Sequence, residues 1–218
     1  MNVIEGIRSR KTFRGFTGKS LSRDLVREIL QDGHSAPSAS NMQPWEFYVL
    51  TGKSLADLCF SIDDYHRTEK IKYNPSKDKK IPNEYLQRRK DLFRGLKPYI
   101  ADLGDGQKTF IESGSIRFYD APVVVFLVTD HELPDTKLLD IGMAAENIML
   151  SAHARGLATC AIAYTLLYAE PIRKTLQLHA QKDIVLSVCL GYPDTDFPVN
   201  QFRSERVDLD KVITWQGF

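Results

Sequence analysis

Residues 138–156, LLDIGMAAENIMLSAHARG, are the stretch that decides the fold. Apolar residues occur on nearly every side of a helix with 3.6 residues per turn, which predicts a central helix that is buried almost all round. Gly142 and Ala144 are small enough to let a second helix approach closely. Two apolar runs flank the stretch, APVVVFLVT (121–129) and LATCAIA (157–163), and each is typical of a buried strand.

The other predicted elements surround this core. The segment LSRDLVREILQDGH (21–34) has an amphipathic helical pattern with Ser22 as N-cap. WEFYVLT (45–51) and DIVLSVCLGY (183–192) are rich in aromatic and branched residues, which predicts two more strands. Strands that alternate with helices in this order predict a three-layer arrangement, α/β or α+β, without internal repeats.

Composition narrows the class of protein. The chain has 218 residues, of which 43% are hydrophobic and 26% charged, and a net charge of +1, values typical of a globular protein with no general attraction to nucleic acid or membranes. It has no apolar run of 18 residues, and its first 20 residues are too polar for a signal peptide. Its three cysteines, Cys59, Cys160 and Cys189, are far apart, so we expect free thiols in the cytoplasm.

Common catalytic and nucleotide-binding motifs are missing. The sequence contains no P-loop, no G-x-G-x-x-G, no G-x-S-x-G and no Cys or His spacing typical of a metal site. We expect Cys160 to be a buried core thiol, and His34 and His153 to be a helix cap and a core residue. A bound cofactor that carries the chemistry would account for the absence of these motifs.

Residues 63–115 form a charged insertion, with 12 Lys or Arg and 9 Asp or Glu. A nucleic-acid-binding surface is one interpretation of this segment. The interleaved acidic residues and the scarcity of stacking aromatics favour a solvated insertion instead.

Two basic clusters lie near the ends of the chain, RSRKTFR (8–14) and RSER (203–206). Several arginine side chains that converge would hold a phosphate firmly. The stretch APSASNMQPW (36–45) adds hydroxyl, amide and backbone N–H groups that can bond a flat heterocycle. Each feature alone is weak, because Ser-Asn-Pro stretches are mostly turns.

Together these motifs resemble those of the FMN-dependent nitroreductases. The pattern R-[RK]-[ST]-x-R-x-F occurs at residues 10–16, and P-S-x-x-N-x-Q-P-W at residues 37–45. D-x-G-x-A-x-x-N-x-x-L followed by G-L-x-T-C occurs at residues 140–160, and the segment LGYPDTDFPVNQFRSERVDL (190–209) is similar to the family's closing segment. The resemblance covers nearly the whole chain and is weakest over residues 63–115. It implies a single α+β domain over residues 1–218, with an α-β-α nitroreductase-like fold, a mostly antiparallel central sheet and a C-terminal tail that extends onto a partner subunit.

The resemblance also implies a set of FMN-binding residues. Arg10 and Arg206 would hold the phosphate, with Arg203 as a further basic ligand, and Arg14 would reach the pyrimidine side of the isoalloxazine and stabilise it electrostatically. The backbone at Ala163 and Tyr164 would face flavin N5. The remaining members of the implied set are Lys11, Thr12, Pro37, Ser38, Ala39, Asn41 and Asp140. Ser38, Ala39 and Asn41 would come from the other subunit of a homodimer.

The implied activity is oxidoreduction. NAD(P)H would reduce the flavin, which would then reduce a nitroaromatic, a quinone or a similar planar acceptor in a ping-pong mechanism, with no catalytic side chain and no metal. If Arg88 or Arg89 in PNEYLQRRKDLF (82–93) faced the pocket, it would pair with a substrate carboxylate. The alternatives are a flavoprotein of the same fold that dehalogenates or only holds flavin, and, more distantly, a nucleic-acid-binding module. Asn74 and Asn83 are candidates for the family's middle flavin-binding asparagine.

Overall fold

The computed structural model of this protein describes residues 1–70, 80–103 and 106–218. These residues form helices and strands in the following order: α1 Val3–Ser9, α2 Arg23–His34, β1 Glu46–Thr51, α3 Gly52–Glu69, α4 Asn83–Ile100, α5 Gly106–Ile116, β2 Val123–Asp130, α6 Lys137–Ala154, β3 Ala158–Ile162, α7 Ala169–Leu176 and β4 Lys182–Gly191. The order of elements follows the sequence-based expectation. Ser22 is the N-cap of α2, and its side chain accepts the N–H of Leu25 at 3.2 Å.

The sheet contains four strands in the order β1-β2-β4-β3, and all three neighbouring pairs are antiparallel. β2 is central, and seven of its eight residues are buried. Val123, Val125 and Leu127 pack against α2 and α6 on one face of the sheet. The alternating residues of β2 pack on the other face, among side chains of α3 and α7. A continuous apolar strand therefore separates two cores, and the α+β, α-β-α architecture is confirmed.

Helices α2 and α6 make the closest helix contact, but not at the expected glycine. A Cβ on Gly33 of α2 would lie 2.4 Å from Cγ1 of Ile148, so the two backbones can approach only because Gly33 has no side chain. A Cβ on Gly142 of α6 would meet nothing within 4 Å. The expected close approach therefore occurs at Ala144, whose carbonyl oxygen would lie 3.4 Å from a Cβ on Gly33, and not at Gly142.

Helix α6 is also less enclosed within one chain than its composition predicts. Ile141, Ala144 and Ile148 are fully buried, whereas Leu139 is 70% exposed and Met143 is partly exposed. Additional apolar side chains are exposed on α1 and in the C-terminal segment: Val3, Ile4, Ile7, Leu209, Val212 and Trp215. One chain alone leaves this apolar surface uncovered.

The charged insertion contributes α4 and α5. Leu96 and Ile100 of α4 pack on Val199 of the C-terminal segment in a small third core. Asn83 begins α4, and Asn74 lies outside the described residues. Among the residues that the structure describes, no helix is both long enough and apolar enough to cross a bilayer.

Candidate functional site

The segment of residues 10–16 runs along the edge strand β3. Thr12 forms a parallel bridge with Thr159 of β3, and the N–H of Phe13 donates to the carbonyl of Thr159 at 3.0 Å. Phe16 bridges Pro193 just beyond β4. This pairing fixes the backbone, so that the side chains of Arg10, Lys11 and Arg14 have defined positions beside the sheet.

Asn200 holds the same segment from the C-terminal side. Its Oδ1 accepts the N–H of Arg14 at 2.8 Å, and its Nδ2 donates to the carbonyls of Gly15 at 2.8 Å and of Asp194 at 2.7 Å. Its own backbone carbonyl accepts a hydrogen bond from the Lys11 ammonium. Asn200 is buried, and its bond to the Gly15 carbonyl is fully shielded from water, while the other three are partly shielded.

A basic cluster forms where α1 ends. It consists of Arg10, Lys11 and Arg203, and Arg203 donates to the backbone carbonyls of Arg8 and Ser9. Arg10 pairs with Glu146 at 3.2 Å, but among the described residues neither Lys11 nor Arg203 has an acidic partner. Burial and the nearby Arg203 lower the pKa of the Lys11 ammonium. Two cations that repel each other in this way make a site that an anion would stabilise.

His153 lies at the edge of this cluster. Its Nε2 shares a hydrogen bond of 2.7 Å with the hydroxyl of Ser9, and burial together with Arg10 and Arg203 lowers its pKa. The neutral ring therefore adds no charge to the cluster near neutral pH. His153 was expected to be a core residue, but it is only half-buried, because it lies near the end of α6 where the helix reaches the basic cluster.

Arg206 occupies a different position from Arg203. Its guanidinium is exposed and donates to the Ser204 hydroxyl at 2.9 Å and to the carbonyls of Ser204 and Glu205. It lines a groove between α4 and the C-terminal segment, to which Arg203 also contributes. Arg203 is thus the residue of this pair that contacts the end of α1, and phosphate binding by Arg206 stays a prediction.

A cavity of about 840 Å³ lies next to Arg14. One wall is formed by residues 160–164, which are the end of β3 and the turn after it, and another by residues of α4. This volume is in the range of small-molecule and cofactor pockets. Arg14, Ala163 and Tyr164, which the resemblance places around the flavin, meet in this cavity. Arg89 lines the cavity as well, and Arg88 does not.

Arg14 is held charged against an aromatic ring. Its guanidinium carbon lies 5.8 Å from the ring centroid of Tyr119, and its Nε is buried with no hydrogen-bond partner in the described part of the chain. Burial acts to lower the pKa of Arg14, but Cys160 and Tyr119 beside it outweigh burial and raise it. A buried N–H without a partner is costly, which indicates that a ligand atom completes it.

Cys160 lines the cavity as a thiol and not as a nucleophile. It is 2% exposed, and burial raises its pKa to about 11, while Arg14 acts weakly in the opposite direction. The expectation of an inert core cysteine agrees with this finding. The three cysteines are free thiols.

The turn after β3 is held in place by contacts with α3. The hydroxyl of Tyr168, a fully buried residue, shares a hydrogen bond of 2.8 Å with Nδ1 of His66 in α3. The ring centroids of Tyr164 and Tyr168 lie 5.9 Å apart, and burial, together with Tyr168 and Glu112, raises the pKa of the Tyr164 phenol well above the ordinary value. These contacts fix the Ala163–Tyr164 backbone at the cavity wall.

The loop of residues 37–45 lies apart from the cavity. Its conformation is held by the Asp140 carboxylate, which accepts the N–H of Ala39 at 3.2 Å, and by the Ser38 hydroxyl, which accepts the N–H of Gln43 at 3.0 Å. Ser40, Asn41 and Gln43 all have φ near +50°, which is strained for residues other than glycine. Pro37, Ala39 and Asn41 are exposed, and none of residues 37–41 lines the described cavity.

Comparison with known proteins identifies the family and the fold. The sequence matches the family model described as "Nitroreductase family" over residues 7–192. The chain belongs to the nitroreductase family. Among curated relatives, the 4-nitrobenzoate reductase of Nocardioides sp. (strain LMS-CY) is 31% identical over 96% of this chain and 87% of its own length. The chloronitrobenzene nitroreductase of Comamonas testosteroni is 32% identical over 96% of this chain and 94% of its own length.

A solved structure agrees over the full length. The FMN and NADPH-dependent nitroreductase NfnB from Sphigopyxis sp. strain HMH superimposes with a TM-score of 0.92 at 26% identity, covering 100% of both chains. The nitroreductase fold predicted from the motifs is therefore confirmed.

Nitroreductase motifs found in the sequence fall into two groups in this structure. Arg10, Lys11 and Arg203 meet at the end of α1, and Arg14, Ala163 and Tyr164 meet at the cavity. The loop residues 37–41 join neither group within one chain. Sequence reasoning missed Asn200 and Tyr119 as site residues. The asparagine of the closing P-x-N motif was a usable signal for the first, whereas nothing local marks Tyr119.

Proposed function

We propose that this nitroreductase-family chain uses FMN to transfer reducing equivalents from NAD(P)H to nitroaromatic, quinone or similar planar acceptors. The class of enzyme expected from the sequence, an NAD(P)H-dependent flavin oxidoreductase, is confirmed by the family and by the named relatives. The observation that carries the proposal is that one short segment, residues 10–14, joins the basic cluster to the cavity.

The residues present fit the phosphate end of FMN. Lys11 and Arg203 lie close enough to lower the pKa of Lys11, and they lack acidic partners in the described part of the chain. A phosphate dianion would offset this repulsion and accept charge-assisted hydrogen bonds from both. Arg10 and Thr12 stand on the same fixed backbone, and Arg206 approaches from the adjoining groove.

The residues present also fit the flavin ring. The orphaned Nε of Arg14 requires an acceptor, and the carbonyl edge of a pyrimidine ring is one. The Ala163–Tyr164 backbone supplies the facing wall, and Cys160 and Ile162 supply apolar surface. When bound, FMN supplies the centre that accepts and donates hydride, which no side chain of this chain provides.

We infer that the working protein is a homodimer with the flavin at the subunit interface. The strained loop of residues 37–41 carries family motif residues but faces solvent within one chain, so a partner subunit would bring Ser38, Ala39 and Asn41 to the site. The exposed apolar residues Leu139 and Met143 on α6, with those on α1 and in the C-terminal segment, supply surface for such an interface. The tail beyond residue 209 would extend over the partner.

The reaction follows from these roles. A nitro group, NAD(P)H and one proton give a nitroso group, NAD(P)⁺ and water, and a quinone is reduced to the hydroquinone. Because a single large cavity adjoins Arg14 among the described residues, NAD(P)H and the acceptor would use it in turn, which is a ping-pong order. The Arg14 cation stabilises the added negative charge electrostatically without moving a proton. The free thiols agree with the cytoplasmic location that we propose.

The test is a screen of the purified protein for bound flavin and for turnover. We expect the released cofactor to be FMN rather than FAD, and the oxidation of NADH or NADPH to depend on a nitroaromatic or quinone. Double-reciprocal plots of the initial rate should give parallel lines, as a ping-pong order predicts. Halide release from a halogenated aromatic without nitro reduction would favour the dehalogenating alternative. Bound FMN with no turnover on any acceptor would favour a flavin-holding role. Protein without flavin that binds nucleic acid through residues 63–115 would overturn the proposal.

A further inference from the structure

Helix α4 presents only basic charged side chains to the large cavity. Every charged side chain that lines the large cavity in the described part of the chain is basic: Arg14, Arg89, Lys90, Arg94 and Lys97. The acidic residues of α4, Glu84 and Asp91, do not line it, and Asp91 faces the groove on the other side of the helix. The acidic residues of α4 are thus kept away from the cavity, whereas its basic residues line both the cavity and the groove.

The rotation of α4 is fixed by packing. Leu96 and Ile100 are buried against Val199, and a Cβ on Gly95 would lie 3.1 Å from the ring of Phe202. With that side against the C-terminal segment, Arg89, Phe93 and Lys97 fall at i, i+4 and i+8 on the side that lines the cavity. Arg88, one residue earlier, points away and its guanidinium lies 4.9 Å from the ring centroid of Tyr85.

Three of these cations have no counter-charge among the residues that the structure describes. Arg94 pairs with Asp91 at 2.8 Å, whereas Arg89, Lys90 and Lys97 have no ion pair or hydrogen bond within the described residues. Arg14 belongs to the flavin end of the cavity. Like charges along one helix face are mildly destabilising, so the arrangement is better satisfied when an anion is present.

We propose that Arg89, Lys90 and Lys97, around the ring of Phe93, form a subsite for an anionic group on the aromatic molecule that enters the cavity. The proposal rests on the proposed function and specifies its substrate class. The shared chemistry is a flat ring next to a carboxylate or phosphate, since the ring packs on Phe93 while the cations pair with the anion. Two ligands offer that chemistry: a carboxylated nitroaromatic, and NADPH through the phosphate that NADH lacks.

The experiment measures binding by calorimetry, so that it does not depend on turnover. The purified holoprotein is titrated with benzoate and its neutral isostere benzamide, and separately with NADP⁺ and NAD⁺. The variants are Arg89→Gln and Lys97→Gln, and the matched control is Arg88→Gln, which removes the same charge on the opposite side of the helix. Because these side chains are exposed, each variant should weaken the anionic ligand about two- to fivefold, and added salt should shrink the difference.

The outcomes separate the two sources. If the Arg89 and Lys97 variants bind only benzoate more weakly, the subsite belongs to the acceptor. If they bind only NADP⁺ more weakly, it belongs to the coenzyme phosphate. Weaker binding of both means that the two ligands use the subsite in turn. Equal affinities in wild type and variants, or an equal effect of Arg88→Gln, would overturn the inference. A protein that shows the binding difference and yet reduces no acceptor would contradict the proposed function and leave the subsite standing.

Discussion

The side chain of Asn200 accepts the backbone N–H of Arg14 at 2.8 Å, which links two residues 186 positions apart in the chain. The same side chain donates to the carbonyls of Gly15 and Asp194. One buried amide therefore sets the position of the segment that carries Arg10 and Lys11 of the basic cluster and the cavity residue Arg14.

We expect Asn200→Ala to weaken both folding and FMN retention. Removing the amide leaves buried N–H and C=O groups without partners, which costs about 1–3 kcal/mol for each group left unsatisfied. Urea unfolding of the apoprotein and fluorescence titration with FMN measure the two effects. Gln201→Ala is the control, because the neighbouring amide is exposed and bonds only to Thr195. Equal behaviour of the two variants would contradict the role of Asn200.

The basic cluster is expected to bind the flavin phosphate. Arg203→Ala and Arg206→Ala should each leave folded protein with about tenfold to hundredfold weaker FMN binding, since a charge-assisted hydrogen bond contributes roughly 1.5–3 kcal/mol. Riboflavin, which has no phosphate, should bind wild type and variants alike. Arg8→Ala is the control, because its side chain is exposed beside the cluster. Wild-type FMN affinity in the Arg206 variant would remove that residue from the site.

FMN binding should weaken at alkaline pH, and the weakening should begin at a lower pH than the ordinary pKa of a lysine predicts. Burial and Arg203 lower the pKa of Lys11 in the free protein, and a bound phosphate favours its protonated form. Affinity is therefore constant while Lys11 is protonated, and falls as the pH rises through that lowered pKa. Lys11→Arg keeps its charge throughout and should show a smaller fall, measured by fluorescence titration between neutral pH and about pH 10. Superimposable profiles would exclude Lys11 from phosphate binding.

Arg14→Gln should lower the midpoint potential of the bound flavin. The cation stabilises the reduced, more negative form more than the oxidised form, and about 30 mV corresponds to about 1.4 kcal/mol for a two-electron couple, so we expect a shift of tens of millivolts. Reduction by NAD(P)H should slow while much of the FMN stays bound. Spectroelectrochemical titration tests this, with Arg117→Gln as control, since Arg117 pairs with Asp120 at the surface. An unchanged potential and an unchanged rate would reduce Arg14 to a structural contact.

The apolar surface of α6 should be a subunit interface. Leu139→Glu places a charge on a residue that is 70% exposed in one chain, and we expect it to convert a dimer to monomer and to release FMN. Phe60→Glu is the matched control, because Phe60 is 72% exposed on α3, on the other face of the sheet. Sedimentation velocity with absorbance of the flavin measures both quantities. A wild-type monomer that retains full flavin at micromolar concentration would refute a shared site.

The sequence by itself determined the elements and the motifs. β2 was readable because an unbroken apolar run can be satisfied only between two cores, and the Ser22 cap because capping involves neighbouring residues. The basic segment beside β3, residues 10–16, was assigned to cofactor binding through its motif, because the spacing of a motif can be recognised without knowing the fold.

Only the tertiary structure decided which of these residues meet. Local pattern could not choose between Arg88 and Arg89, because the rotation of α4 is set by Leu96 and Ile100 packing on a segment a hundred residues away. Local pattern could not show which of Arg203 and Arg206 contacts the end of α1. Arg203 donates to the backbone carbonyl of Arg8, whereas Arg206 donates to the carbonyl of its neighbour Glu205. Nor could it show that Gly33 rather than Gly142 permits the close helix contact. Local propensities act between neighbours in sequence, whereas these choices depend on packing and hydrogen bonds between distant parts of the chain, and these form only when the sheet and its helices are assembled.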